Sequence, residues 1–115
     1  MENDISRHIA FSNTAIEIAK NPEFRDLFLD LASRKDFLDP VHWCNEPHLK
    51  GSEWGAKALV LLFETINRNC PGLVEFQKRT GLMKLVGFPK IKLTNDGLKM
   101  AQMLVEAKKN MSNNK

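Results

Sequence analysis

Six side chains in the C-terminal half share one chemistry: Gln77, Lys78, Arg79, Lys84, Lys90 and Lys92. Lysine and arginine donate charge-assisted hydrogen bonds to phosphate oxygens, and a glutamine amide can pair with the edge of adenine. Side chains alternate along a strand, so Lys90 and Lys92 share one face while Ile91 and Leu93 share the other. One face then packs on a core and one meets a solvated polyanion.

A second cluster, His42-Trp43-Cys44-Asn45-Glu46-Pro47-His48, holds imidazole and thiol groups of the type zinc prefers, and Cys70 could add a ligand. The spacing His-x-Cys-x₃-His matches none of the common zinc patterns. A Cys44–His pair lacks a third orienting group and an oxyanion donor. No metal, cofactor or catalytic residue is expected from it, and Trp43 and Trp54 read as packing anchors. His8 reads as a plain residue of the first helix. Elsewhere no paired carboxylates, phosphate loop or catalytic triad can be assembled, so the chain does not read as an enzyme.

The elements that would carry these residues follow from periodicity and breakers. A first helix is expected over 5–20, with Ile5, Ile9, Ile16 and Ala19 on its apolar face. Asn21-Pro22 breaks it and opens a second, whose Phe24, Leu27, Phe28 and Leu31 fall at i, i+3, i+4 and i+7. The segment from Asp39-Pro40 to Gly51 reads as an irregular connector. Ser52 is the expected cap of a third helix ending near Asn69-Cys70, with Trp54, Ala58, Leu61, Leu62 and Thr65 inward. Pro71-Gly72 stops it. A short basic helix is expected over 73–80, then a hairpin of Met83–Val86 and Lys90–Leu93 turning through Gly87-Phe88-Pro89. Thr94 is placed to cap a last helix.

A chain of 115 residues suits one domain: a helical part over 1–50, a basic part over 51–109 and a frayed polar tail over 110–115. Charge is unevenly divided. Residues 1–49 carry five Lys/Arg against nine Asp/Glu, a net −4, and residues 50–115 carry twelve against five, a net +7. An acidic half joined to a basic half points to a polyanionic partner. The longest apolar run, Ala58 to Phe63, falls far short of a bilayer span, and the acidic start does not resemble a signal peptide. Two cysteines make no disulfide framework. A cytoplasmic protein is expected, with no membrane partner.

Helix, basic helix, hairpin and helix in this order resemble the winged helix-turn-helix domains of bacterial and phage regulators, the MarR and PadR groups especially. The residues that carry the resemblance are Gly81-Leu82, then Lys84, Lys90 and Lys92, then Leu93-Thr94-Asn95-Asp96-Gly97. It covers about the C-terminal half of the chain. A second alignment takes 72–82 as the first helix of the helix-turn-helix; Gly87 and Pro89 then interrupt the recognition helix that should follow. The resemblance implies an α+β, mostly helical winged helix-turn-helix with two extra N-terminal helices and a short β-hairpin wing. It also implies duplex DNA as partner and transcription regulation; it says nothing about residues 1–50. A homodimer is expected, with the first, second and last helices as its available surfaces. Gln77, Lys78 and Arg79 would then sit on the recognition helix and Lys84, Lys90 and Lys92 on the wing.

One rival comes from the same residues. A helical protein-protein interaction module (an immunity protein, antitoxin or phage-encoded inhibitor) could reuse the shape without touching DNA. Its partner surface would be the acidic half near Phe11, Phe24, Phe28 and Phe37.

Overall fold

Asn21 ends one helix and opens the next. Its Oδ1 accepts from the amides of Glu23 (3.1 Å) and Phe24 (3.3 Å), while Pro22 occupies a first-turn position that needs no amide hydrogen. The computed structural model describes residues 2–77 and 87–113, with side chains described for 5–77 and 87–109. Helix α1 is Glu2–Lys20 and α2 is Pro22–Ala32. Then come α3 (Pro40–Cys44), α4 (Ala56–Asn69), strands β1 (Val74–Gln77) and β2 (Lys90–Leu93), and α5 (Asn95–Asn113). The fold is α+β and mostly helical, and among the described residues it has one two-stranded antiparallel sheet.

The core sits where α2, α3, α4, α5 and the inner face of the ribbon meet. Phe63 of α4 lies between Phe28 of α2 (centroids 6.3 Å apart, stacked) and Trp43 of α3 (5.7 Å). All three rings are fully buried, as are Leu59, Leu73, Ile91 and Met100. Each such side chain contributes about 1.5–3 kcal/mol by leaving water. Trp43 is therefore the anchor its sequence position suggested.

Several expected elements differ. In α1 the inward stripe is Phe11, Thr14, Ala15 and Ile18, an i, i+3, i+4, i+7 set, and Ile5, Ile9 and Ile16 are more than half exposed. The connector after Asp39 contains α3, because Asp39 Oδ1 accepts from Val41 N at 3.0 Å and Pro40 takes the first helical position. That is the same device as Asn21-Pro22. Ser52 does not cap α4; its Oγ accepts from Trp54 N (3.1 Å), and α4 begins after Gly55. The buried face of α4 is Leu59, Val60, Phe63 and Ile66, which leaves Leu61 and Thr65 outward.

Residues 74–77 form a strand, not the expected helix over 73–80. Val74 and Phe76 point inward while Glu75 and Gln77 point out, a period of two that prevails over the helical spacing of Leu73 and Phe76. The same strand rules out a helix through 74–77 in the second alignment over 72–82. The partner of β2 is accordingly β1, with Val74 opposite Leu93, Glu75 opposite Lys92, Phe76 opposite Ile91 and Gln77 opposite Lys90. The expected turn through Gly87-Phe88-Pro89 joins Lys90–Leu93 to the Met83–Val86 run, which lies outside the described residues. A third edge joins: Leu38 N donates to Ile91 O (2.8 Å) and Ile91 N to Leu38 O (3.0 Å), so β2 is flanked on both sides.

Candidate nucleic-acid interface

Three of the six cationic or amide residues are brought together. Gln77 and Lys90 are cross-strand partners, and Lys92 follows on the same outer face. The inner residues Ile91 and Leu93 are buried, as the alternation required. Lys92 Nζ lies 5.7 Å from the centroid of Phe37, and Glu75 stands opposite, so its charge is partly held at the base of the ribbon. Lys78, Arg79 and Lys84 lie outside the described residues. With the 73–80 helix replaced by a strand at 74–77, Gln77 is a ribbon residue and not part of a recognition helix.

The helix that runs into the ribbon is α4. Its outward residues are Lys57, Leu61, Glu64, Thr65 and Arg68, at spacings that make one continuous stripe. With Leu61 and Thr65 expected inward, the sequence does not reveal this stripe. The hydrophobic pattern of Leu59, Val60, Phe63 and Ile66 was the signal that would have exposed it.

Two corners fix α4 and the ribbon. At the end of α4, Asn67 Oδ1 accepts from the amides of Gly72, Leu73 and Val74, each at 3.1 Å. Gly72 turns there with φ +96°, a backbone conformation glycine adopts without a Cβ clash. At the end of β2, Thr94 N donates to Leu73 O (3.0 Å), and the Thr94 hydroxyl donates to Gly72 O. The same hydroxyl oxygen accepts from Gly97 N at 3.2 Å, so Thr94 caps α5 as its position suggested. Leu-Thr-x-x-Gly is thus a clasp that ties the start of α5 to the start of β1.

A polar network joins α2 to α3 and the turn after it. Arg34 holds Glu46 with both terminal nitrogens, Nη1 reaching Oε2 at 2.8 Å, and Nη2 also reaches Asp30 Oδ2 at 3.1 Å. Trp43 Nε1 donates to Asp30 Oδ2 at 2.6 Å, and His48 Nε2 lies 3.0 Å from the same oxygen. Burial pushes the Asp30 carboxyl up, but hydrogen bonds from Trp43, His48 and Arg34 outweigh it and leave the group below its ordinary value. The Glu46 carboxyl is lowered chiefly by its hydrogen bonds with Arg34, whose guanidinium is correspondingly raised.

Among the described residues, the group of three whose ligand atoms converge is Asp30, Glu46 and His48, within 4.8 Å of one another. The Arg34 guanidinium already bridges both carboxylates. His42, Cys44 and Cys70 are not part of that group; the Cys44 thiol donates to Val41 O, and burial pushes the Cys70 thiol up. No described helix is long and apolar enough to cross a membrane.

No family model, curated protein or solved structure matches the chain.

Proposed function

We propose that the chain is a small duplex-DNA-binding protein, a transcription regulator of winged-helix type. In this reading α4 is the helix offered to the groove and the β1–β2 ribbon is the wing. The observation that carries it is the charge of the ribbon segment. Residues 74–93 hold five cations (Lys78, Arg79, Lys84, Lys90 and Lys92) against the single carboxylate of Glu75, and they follow directly on α4. The Leu38 edge on β2 and the clasp at Thr94 and Gly97 support it further, since both make a firm base for a basic arm.

Five phosphate contacts correspond to a slope of about −4.5 in log K against log salt. The test is anisotropy of a labelled, generic duplex titrated with protein across a salt series. Binding that weakens steeply with salt is expected, and Lys90→Gln with Lys92→Gln should flatten the slope by about 2 while the circular dichroism melt is kept. Failure to bind at low salt overturns the reading.

One observation favours the second reading, a helical protein-protein interaction module. Exposed apolar residues stand on α1 (Ile5, Ile9 and Ile16) and on α5 (Leu98, Met103 and Val105). These two helices, and not α2, would also be the dimer surface, because Leu27, Phe28 and Leu31 are buried. Phe28 is likewise buried and is no part of an acidic partner surface. On this reading Lys90→Glu with Lys92→Glu leaves partner binding unchanged, whereas charge reversal at the exposed Glu23 and Asp26 abolishes it.

A further inference from the structure

A groove of about 580 Å³ opens between α2 and the segment 48–54. Its floor is Leu27 and Leu49, both nearly buried. Its wall is the Trp54 indole, fixed at two points: Nε1 donates to Glu23 Oε2 at 2.8 Å, and the ring meets Phe24 edge-on with centroids 5.9 Å apart. Four carboxylates, those of Glu23, Asp26, Asp30 and Glu53, line it, and no lysine or arginine does. Glu23 is engaged by Trp54 and Asp30 by Trp43, Arg34 and His48, while Asp26 and Glu53 stand at the exposed mouth, Asp26 with a long contact to Arg25 Nε at 3.9 Å.

We propose that this groove binds a small organic cation with an aromatic or branched apolar body, such as an arylalkylammonium. The apolar body would lie on Leu27 and Leu49 against the Trp54 ring, and the ammonium would face Asp26 and Glu53. Three physical points select this class. The volume falls within the range of roughly 300–1,000 Å³ that encloses a small organic molecule. An apolar floor beside a preset indole rewards a hydrophobic body, and the indole face also attracts a cation. The carboxylates repel an anion and offer a neutral analogue a hydrogen bond without an opposite charge, so charge complementarity decides between ligands of one shape. The groove is separate from the ribbon, and the proposal does not depend on the DNA reading.

The test titrates the full chain with phenethylammonium chloride at constant ionic strength and follows amide and indole N–H resonances. 2-Phenylethanol and phenylacetate serve as the neutral and anionic controls. A saturable shift of the Trp54 indole and of the 48–54 amides is expected, with the ammonium bound about tenfold tighter than the alcohol and the carboxylate not bound. Asp26→Asn with Glu53→Gln, both exposed positions, should weaken the ammonium about five- to tenfold and leave the alcohol unchanged. Trp54→Leu should weaken both ligands. Equal binding of ammonium and alcohol, an unaffected double variant, or no saturable shift at millimolar ligand each overturns the proposal. Binding of a lysine-rich peptide in place of phenethylammonium would also overturn it, and would assign the groove to a protein partner.

Discussion

Gly97 lies so close to Leu73 that a Cβ on it would fall 2.4 Å from the Leu73 carbonyl oxygen and 3.1 Å from Leu93 Cβ. Backbone atoms cannot swing aside as a flexible side chain can, so the first turn of α5 would have to lift off β1. Gly97→Ala is therefore expected to destabilise by about 1–3 kcal/mol. In a free helix the same change would stabilise by up to about 1 kcal/mol. Urea unfolding separates the two signs, and a stabilised variant would show that the clasp is loose.

Asn67 serves three amides with one oxygen, at the corner where α4 hands over to β1. Asn67→Ala leaves Leu73 N and Val74 N without an acceptor in a half-buried setting, a loss of about 1–3 kcal/mol. Asn67→Asp keeps an acceptor and should recover most of it. Equal loss in both variants would assign the effect to packing, not to the hydrogen bonds.

How much of this was legible follows from which signals were local. Asn21-Pro22, Pro71-Gly72 and Thr94 act on their own neighbours, and their roles in the structure are those their types dictate. The α+β class and the inward Ile91 and Leu93 were readable for the same reason. The short segments failed where two periods fit equally well. Leu73 and Phe76 satisfy a helix, Val74 and Phe76 a strand, and only the distant pairing with Lys90–Leu93 decides between them. Nothing in the sequence links Leu38 to Ile91, because that bridge is set by how α2 packs. Leu61 and Thr65 were misplaced because a fully apolar run from Ala58 to Phe63 does not state its own phase. The groove beside Trp54 was invisible for a related reason: its walls come from segments far apart in the chain.

The Asp30–Arg34–Glu46 network gives stability a pH dependence with a definite sign. Both carboxyls are held below their ordinary values of 3.8 and 4.5. The unfolded chain thus takes up protons at higher pH than the folded one, so their contribution is full above the ordinary carboxylate range. It fades as pH falls through the lowered values. Asp30→Asn should cost about 1–3 kcal/mol near neutral pH, since Trp43, Arg34 and His48 all point at that group. At pH 3 the gap between variant and parent should narrow. Urea midpoints at the two pH values give the answer, and a gap that widens in acid would contradict the assigned sign.

The outward stripe of α4 yields the most discriminating test of the proposed DNA role. A helix seated in a groove reads bases with some side chains and phosphates with others, whereas a wing that follows the backbone contributes charge alone. Lys57 and Arg68 are the cations of the stripe, and Thr65, whose hydroxyl now donates to Leu61 O at 2.8 Å, sits between them. Arg68→Ala should weaken binding to a selected duplex by about 1–3 kcal/mol and reduce its preference over random sequence. Lys90→Gln should weaken both duplexes alike and lower the salt slope by about 1. Binding selection from a random duplex pool, followed by anisotropy on the enriched and unenriched duplexes, measures both quantities. Should Arg68→Ala and Lys57→Ala leave affinity and preference untouched while the ribbon variants abolish binding, α4 is not the reading helix and DNA is held by charge alone.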